Sequence, residues 1–463
     1  MATALSVVTE RVGPRVVPYV PQLVDMVPAL WGRDDPEARA RPSILEFLGK
    51  LTREASPALG DAPGGALAYV HHMVATVVRD ALSPANAPLL AGDALLLWAR
   101  TLQAAPQMTA PAFELLALLP PLLPQPDHVA LACRILEESC LLAPLEVLRE
   151  HGAVLAEALA AVLLDKTFPD VLAPVYALEC WLRTLAASER EARDAALHYF
   201  AEQLHRTRLF EALLLALLED REATVVASQF VCVVCRLAFE LPYPVFPELV
   251  HTLAPVLRSV LAEREAVQRH LAGAQPGAVW PVLVPELVRR AGSMPAVRKM
   301  KMVALGLASM VRSAAAAPDA PLFECIPEMI GVWTDVLGQV VEDAAGNASV
   351  YRRELSPDRS LPQELVPEDE EFGLTADTLG GGLENTLPNA RRSHALLERD
   401  PVTTVPLRAY IAETLNEALA RHPSDSPAGA TLHGALSSMD PLVLEVLQKD
   451  LAGERPRPED PEA

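Results

Sequence analysis

Apolar residues recur at three- and four-residue intervals along most of positions 1–345, the period of a helix with one buried face. Two kinds of segment alternate. The first is entered through prolines: VVPYVPQLVDMVPALW at 16–31, YPVFPELVHTLAPVLRSVL at 243–261, WPVLVPELVRRAG at 280–292 and PLFECIPEMIGVWTDVL at 321–337. The first three share a P-x-L-V core. The second kind carries an early basic residue before a long apolar stripe: DPEARARPSILEFLGKLT at 35–52, EDREATVVASQFVCVVCRLA at 219–238 and MPAVRKMKMVALGLASMV at 294–311. In the last of these Val297, Met300, Val303, Ala304 and Leu307 make a continuous stripe, and Gly306 suits a close helix approach. First helix, tight turn, second helix is the grammar of HEAT repeats, whose units run about 40–47 residues and bury one another's faces. The pattern predicts an all-α chain, an α-solenoid of HEAT-like helical hairpins over 1–345 with roughly eight repeats.

Composition agrees. Half of the chain is hydrophobic (51%) but only 5% is aromatic, and Ala and Leu, the strongest helix formers, supply much of the apolar mass. The 42 prolines sit mostly at segment edges, as in Asp35-Pro36, Ser83-Pro84 and Asp440-Pro441, where a first helical turn tolerates them. Trp31, Trp98, Trp181, Trp280 and Trp333 are far apart, which predicts separate packing layers and not an aromatic cage.

The helical text breaks after Val341. Gly, Pro, Asn and acidic residues fill 346–400, including the run Pro367-Glu-Asp-Glu-Glu371, and predict a long acidic loop. Helical pattern resumes over 401–452, and 453–463 read as a disordered tail.

The formal charge is −21, from 39 basic and 60 acidic residues, which excludes general nucleic-acid binding. Mean hydropathy is +0.20, yet the apolar runs at 223–235 and 271–285 are too short or too rich in proline to span a bilayer, which needs about 20 apolar residues. The N-terminal residues lack the pattern of a signal peptide. Cys232 and Cys235 form a CxxC inside an apolar run, which favours core packing over redox or zinc chemistry. His71 and His72 point about 100° apart on a helix and cannot converge on one metal unaided; a surface or groove position is expected for the pair. Gly380–Gly382 lies in acidic text that would repel phosphate. No enzyme motif and no cofactor site are expected. Basic residues gather twice: Arg289 and Arg290 with Arg298, Lys299 and Lys301, and Arg391 with Arg392. The first set brackets one helix–turn–helix and could line an inner groove facing an acidic partner; pairing with carboxylates of neighbouring repeats accounts for it equally well.

The C-terminal text carries a resemblance. RSHALLERDPVTTVPLRAYIAETLNEAL at 392–419 and MDPLVLEVLQKDLAG at 439–453 resemble the closing region of karyopherin-β nuclear import receptors of the importin-eleven type. The shared features are Asp400-Pro401-Val402, Val405-Pro406-Leu407 and a last helix ending in Leu447-Gln448. YVPQLVDMVPALW at 19–31 is similar to a mid-chain helix of that family, and the order between the two anchors corresponds. The resemblance implies an α-solenoid that binds protein cargo, touches Phe-Gly nucleoporins and answers to Ran-GTP, moving between cytoplasm and nucleus through the pore. Those receptors are about twice this length and bind Ran through N-terminal repeats, so the resemblance also implies a chain without its N-terminal half. A HEAT scaffold or regulatory subunit with no transport role is the alternative.

Overall fold

The computed structural model describes residues 2–32, 40–59, 65–165, 167–168, 171–218, 224–241, 243–256, 279–292, 294, 297–316, 320–342, 349–351 and 388–452. Its contacts divide the chain into two compact units, Met1–Leu185 with Arg359–Leu397, and Ala186–Asp358 with Glu398–Ala463.

In the first unit the helices Ala40–Leu59, Ala87–Ala104 and Val129–Leu142 pack one on the next, flanked by Ala2–Val12, Ala66–Ala81 and Pro144–Leu164. Their starts lie 47 residues (87 − 40) and 42 residues (129 − 87) apart, the spacing of helix-pair repeats. Proline punctuates as expected, standing in the first turn of Ala87–Ala104, Ala110–Glu114 and Pro144–Leu164. Where prolines crowd, helices shorten. The 16–31 segment is a 3-10 turn, Gly13–Tyr19, followed by Val20–Asp25 and Val27–Trp31.

The second unit repeats the arrangement with longer spacers. Thr224–Glu240, Val297–Ala316 and Leu407–Arg421 stack side by side, although their starts are 73 (297 − 224) and 110 (407 − 297) residues apart. The stretch expected to be an acidic loop is thus inserted between two members of one stack. Leu407–Arg421 lies on Val297–Ala316 much as that helix lies on Thr224–Glu240. Ile326–Leu337, Pro427–Ser437 and Pro441–Ala452 complete the layer.

Two features refine the expectations for 346–400. Val340–Glu342 pairs antiparallel with Ser349–Tyr351, and Pro388–Arg399 is a helix. The acidic run at 367–371, Gly380–Gly382 and the 453–463 tail lie outside the described residues.

The cores are built as the periodicity requires. Trp98 and Trp181 are buried in the first unit and Trp280 and Trp333 in the second, each burying the large apolar payload of an indole. Trp333 Nε1 donates to the Ala304 carbonyl at 3.1 Å, and Trp280 meets Phe246 and His251. Trp31 is half-buried; its Nε1 donates to Asp80 at 2.7 Å and Arg41 lies over its ring. Cys232 and Cys235 are both buried as packing residues, and burial pushes the Cys235 thiol far above its ordinary pKa. A Cβ on Gly306 would stand 2.4 Å from the Cys235 carbonyl oxygen, so the helices Thr224–Glu240 and Val297–Ala316 meet backbone to backbone there. Ser309 Oγ bonds the Ala238 carbonyl across the same contact at 2.8 Å.

Candidate partner-binding surfaces

The five basic residues singled out in the sequence do not form one open patch. Glu286, one turn back on Trp280–Ala291, takes both arginines of the first pair. Arg289 Nη2 and Nε reach its carboxylate at 2.6 and 3.1 Å, and Arg290 Nε at 3.0 Å. Burial raises the Glu286 pKa, but the two guanidiniums outweigh it and leave the carboxyl below its usual range. Arg289 remains largely exposed, whereas Arg290 is buried. Arg298 and Lys299 are half-buried. Lys301 is fully buried, which corrects its expected place on a groove. The reason is the double packing of its helix: with Thr224–Glu240 on one side and Leu407–Arg421 on another, every residue from Met300 to Val311 is buried. A long basic side chain on such a helix belongs to the interior, where its charge must be compensated.

The C-terminal text is fastened into the same unit by charge. Asp400 caps the Pro401–Thr404 turn through the Val402 amide and faces Arg236, whose Nη1 and Nη2 stand 3.0 and 3.3 Å from its two oxygens. Both side chains are at most 4% exposed, and Glu240 lies 3.9 Å from the same guanidinium. Further along, Arg312 stacks on the Tyr410 ring at 4.5 Å and reaches Glu413 and Glu417 at 3.6 and 3.4 Å, while Phe239 covers Tyr410. Asp400 belongs to the segment that carries the family resemblance, and that segment closes the stack. Periodicity gives no sign of Arg236 as its partner, because the two are 164 residues apart in sequence.

In the first unit the other basic pair behaves differently. Arg391 is exposed, but Arg392 turns inward and donates to the carbonyls of Ala105 and Leu102 at 2.6 and 3.2 Å. Its Nη2 also stands 3.7 Å from Glu138, which Asn389 approaches at 3.3 Å. Burial draws the Arg392 pKa below the usual arginine value while Glu138 pulls it back.

The histidine pair splits. His72 is exposed, but His71 is buried with Nδ1 2.8 Å from Thr109 Oγ1, and burial lowers its pKa to about 4. The expected surface or groove position therefore holds for His72 and not for His71, which is buried. Among the described residues no three metal-ligating side chains come together, and no helix is long and apolar enough to cross a membrane.

Comparison with known proteins accounts for this architecture. The chain superposes on the solved structure of Lph2, described as a novel bidirectional nuclear transport receptor in S. cerevisiae, with a TM-score of 0.66 and 16% identity. That match covers 94% of this chain and 41% of the receptor, so the chain spans less than half of its length. Kap121p, with 14% identity and a TM-score of 0.31, is covered at 98% of this chain and 51% of its own. Importin beta gives the same score at 12% identity, over 98% and 62%; both superpositions are too loose to define a fold. No curated protein sequence matches. The family profile described as importin-11-like, TPR repeats matches residues 58–452, most of the chain, including the Asp400-Pro401-Val402 turn and the closing helices. The chain therefore belongs to the importin-11-like family of karyopherin-β proteins, and the resemblance seen in its C-terminal text is membership.

Proposed function

We propose that this chain does the work of a nuclear transport receptor: it holds protein cargo on stacked helix faces, touches Phe-Gly nucleoporins, and releases cargo under the control of Ran-GTP. The observation that carries this reading is the importin-11-like match over residues 58–452. Helix-pair stacks suit the task physically. Small changes of angle between repeats add up along a stack, so two ligands on one stack are coupled through its curvature without any catalytic step. Phe-Gly repeats need only shallow apolar grooves between neighbouring helices. The reading places the chain in cytoplasm and nucleus, with passage through the pore.

Of the basic residues, Arg289, Arg298 and Lys299 are those we assign to an acidic partner, since Arg290 and Lys301 are buried. Replacing Arg289 and Lys299 by Glu then weakens cargo capture and leaves Phe-Gly binding unchanged.

A pull-down with Phe-Gly repeat protein tests the transport reading. Capture at micromolar concentration is expected. A folded, helical sample that captures nothing sinks it. A single dominant partner that stays bound in Ran-GTP would instead support the scaffold alternative.

A further inference from the structure

The C-terminal end of Ala87–Ala104 and the helix Val129–Leu142 build a small anionic site that the stacking of helices does not require. The last carbonyls of a helix lack intrahelical donors and carry the negative end of its dipole. Here Leu102 and Ala105 present theirs to Arg392, at 3.2 and 2.6 Å. Glu138, with 0% of its surface exposed, closes the site. Its Oε1 lies 3.4 Å from Arg134 and 3.3 Å from Asn389, while Oε2 makes no hydrogen bond and stands 3.7 Å from Arg392 Nη2.

The site is deep, and Arg392 reaches it from a helix that is itself only half-buried. Pro388–Arg399 contributes no buried side chain, and its described polar attachments to the site are Asn389 and Arg392. A helix of twelve residues is marginal by itself, so it leans on tertiary contacts, those of Asn389 and Arg392 among them, to stay in place. Arg134 compensates the Oε1 side of the buried carboxylate, but Oε2 and the two helix-end carbonyls face the point that Arg392 occupies, and burial makes it costly to leave them uncovered. Two carbonyls and a carboxylate set around one point match the planar, forked guanidinium better than the compact lysine ammonium.

We propose that Leu102, Ala105 and Glu138 form an arginine-reading site for a basic segment of a protein partner, and that Arg392 fills it as an internal occupant that the partner displaces. This rests on the cargo-binding reading above and gives one segment of that cargo a chemistry, separate from the acidic stretch assigned to Arg289 and Lys299: an arginine-bearing segment able to compete with the Arg391-Arg392 pair of this chain.

The test uses the full chain, its R392A variant and the R392A/E138Q double variant. The probe is a fluorescent peptide of sequence PNARRSHALLER, with an analogue carrying Lys in place of its second Arg. An internal occupant that fills a site nine-tenths of the time weakens an outside ligand about ten-fold. The peptide is therefore expected to bind R392A about ten-fold tighter than the unaltered chain, to lose that gain in the double variant, and to bind more weakly as the Lys analogue. No gain in a folded R392A sample overturns the proposal, as does equal binding by the double variant or by the Lys peptide. If R392A does not fold, hydrogen exchange on the unaltered chain decides. Amides of Pro388–Arg399 should exchange far faster than those of Val129–Leu142, and equal protection overturns the proposal. Phe-Gly capture measured on the same samples reports on the transport reading separately, and it stays unchanged whichever way the peptide result falls.

Discussion

Replacing Gly306 by Ala probes the closest helix contact in the second unit. The new methyl carbon would sit 2.4 Å from the Cys235 carbonyl oxygen, 2.5 Å from its Cβ and 2.6 Å from its Cα. A carbon–oxygen contact is comfortable from about 3.3 Å, so the helices Thr224–Glu240 and Val297–Ala316 must part by about 0.9 Å (3.3 − 2.4). The obstacle is mostly backbone and cannot swing aside. Separation on that scale forfeits roughly a quarter to a half of the dispersion energy of the affected contacts. It also stretches the 2.8 Å bond from Ser309 to Ala238 past hydrogen-bonding range, a loss of about 1 kcal/mol. Overpacking of this kind costs about 1–3 kcal/mol. Against it stands the better helix propensity of Ala, about 1 kcal/mol. A net destabilisation of about 2 kcal/mol follows. Gly331 supplies the control. It is exposed on Ile326–Leu337, and a Cβ there would meet nothing within 4 Å. Gly331→Ala keeps the propensity gain alone and should stabilise by about 0.5–1 kcal/mol. Urea unfolding followed by circular dichroism and tryptophan fluorescence reads both, with the shift of Gly306→Ala in the transition of the second unit. Gly306→Ala at or above the stability of the parent chain would refute the backbone contact.

Two further outcomes follow from buried charge. Asp400→Ala leaves the Arg236 guanidinium buried and removes a cap, and should cost about 3 kcal/mol in urea unfolding. Pairing it as Arg236→Met with Asp400→Leu should recover most of that loss; a double variant no better than Asp400→Ala contradicts the account. His71 has a folded pKa of about 4, below its ordinary value of 6.5, so the unfolded chain takes up a proton first as pH falls. Its contribution is intact above pH 6.5 and is lost as pH drops toward 4, by up to about 3 kcal/mol. His71→Gln should flatten the stability profile between those values, and an unchanged slope rejects the assignment.

Much of this fold was legible in the sequence because helix pairs write a 3.6-residue period into the chain. Ala40–Leu59, Thr224–Glu240 and Val297–Ala316 each begin within five residues of the segments the period picks out, and Gly306 lies where helices touch. The sequence misleads where a helix is packed on more than one side. A single stripe through Val303, Ala304 and Leu307 suggests one buried face, but Leu407–Arg421 supplies a second from beyond a long insertion, and Lys301 goes inside with it. No local pattern encodes a neighbour more than a hundred residues away. Pro388–Arg399 was hidden for the opposite reason. None of its residues is fully buried and its text is mostly polar, so the few apolar positions it has do not stand out, and its described polar attachments to the site are made by Asn389 and Arg392. Polar anchors such as Arg236 with Asp400 leave no periodic trace either, since each is a single residue matched to a distant one.

The central claim, a receptor that travels through nuclear pores, is tested most directly in permeabilised cells. The full chain, fluorescently labelled and supplied without other transport receptors, is compared with an inert protein of equal mass. The account predicts a bright nuclear rim and faster nuclear entry than the inert protein, both abolished by excess Phe-Gly repeat protein. A chain that stays off the rim and enters no faster than the inert control would contradict it.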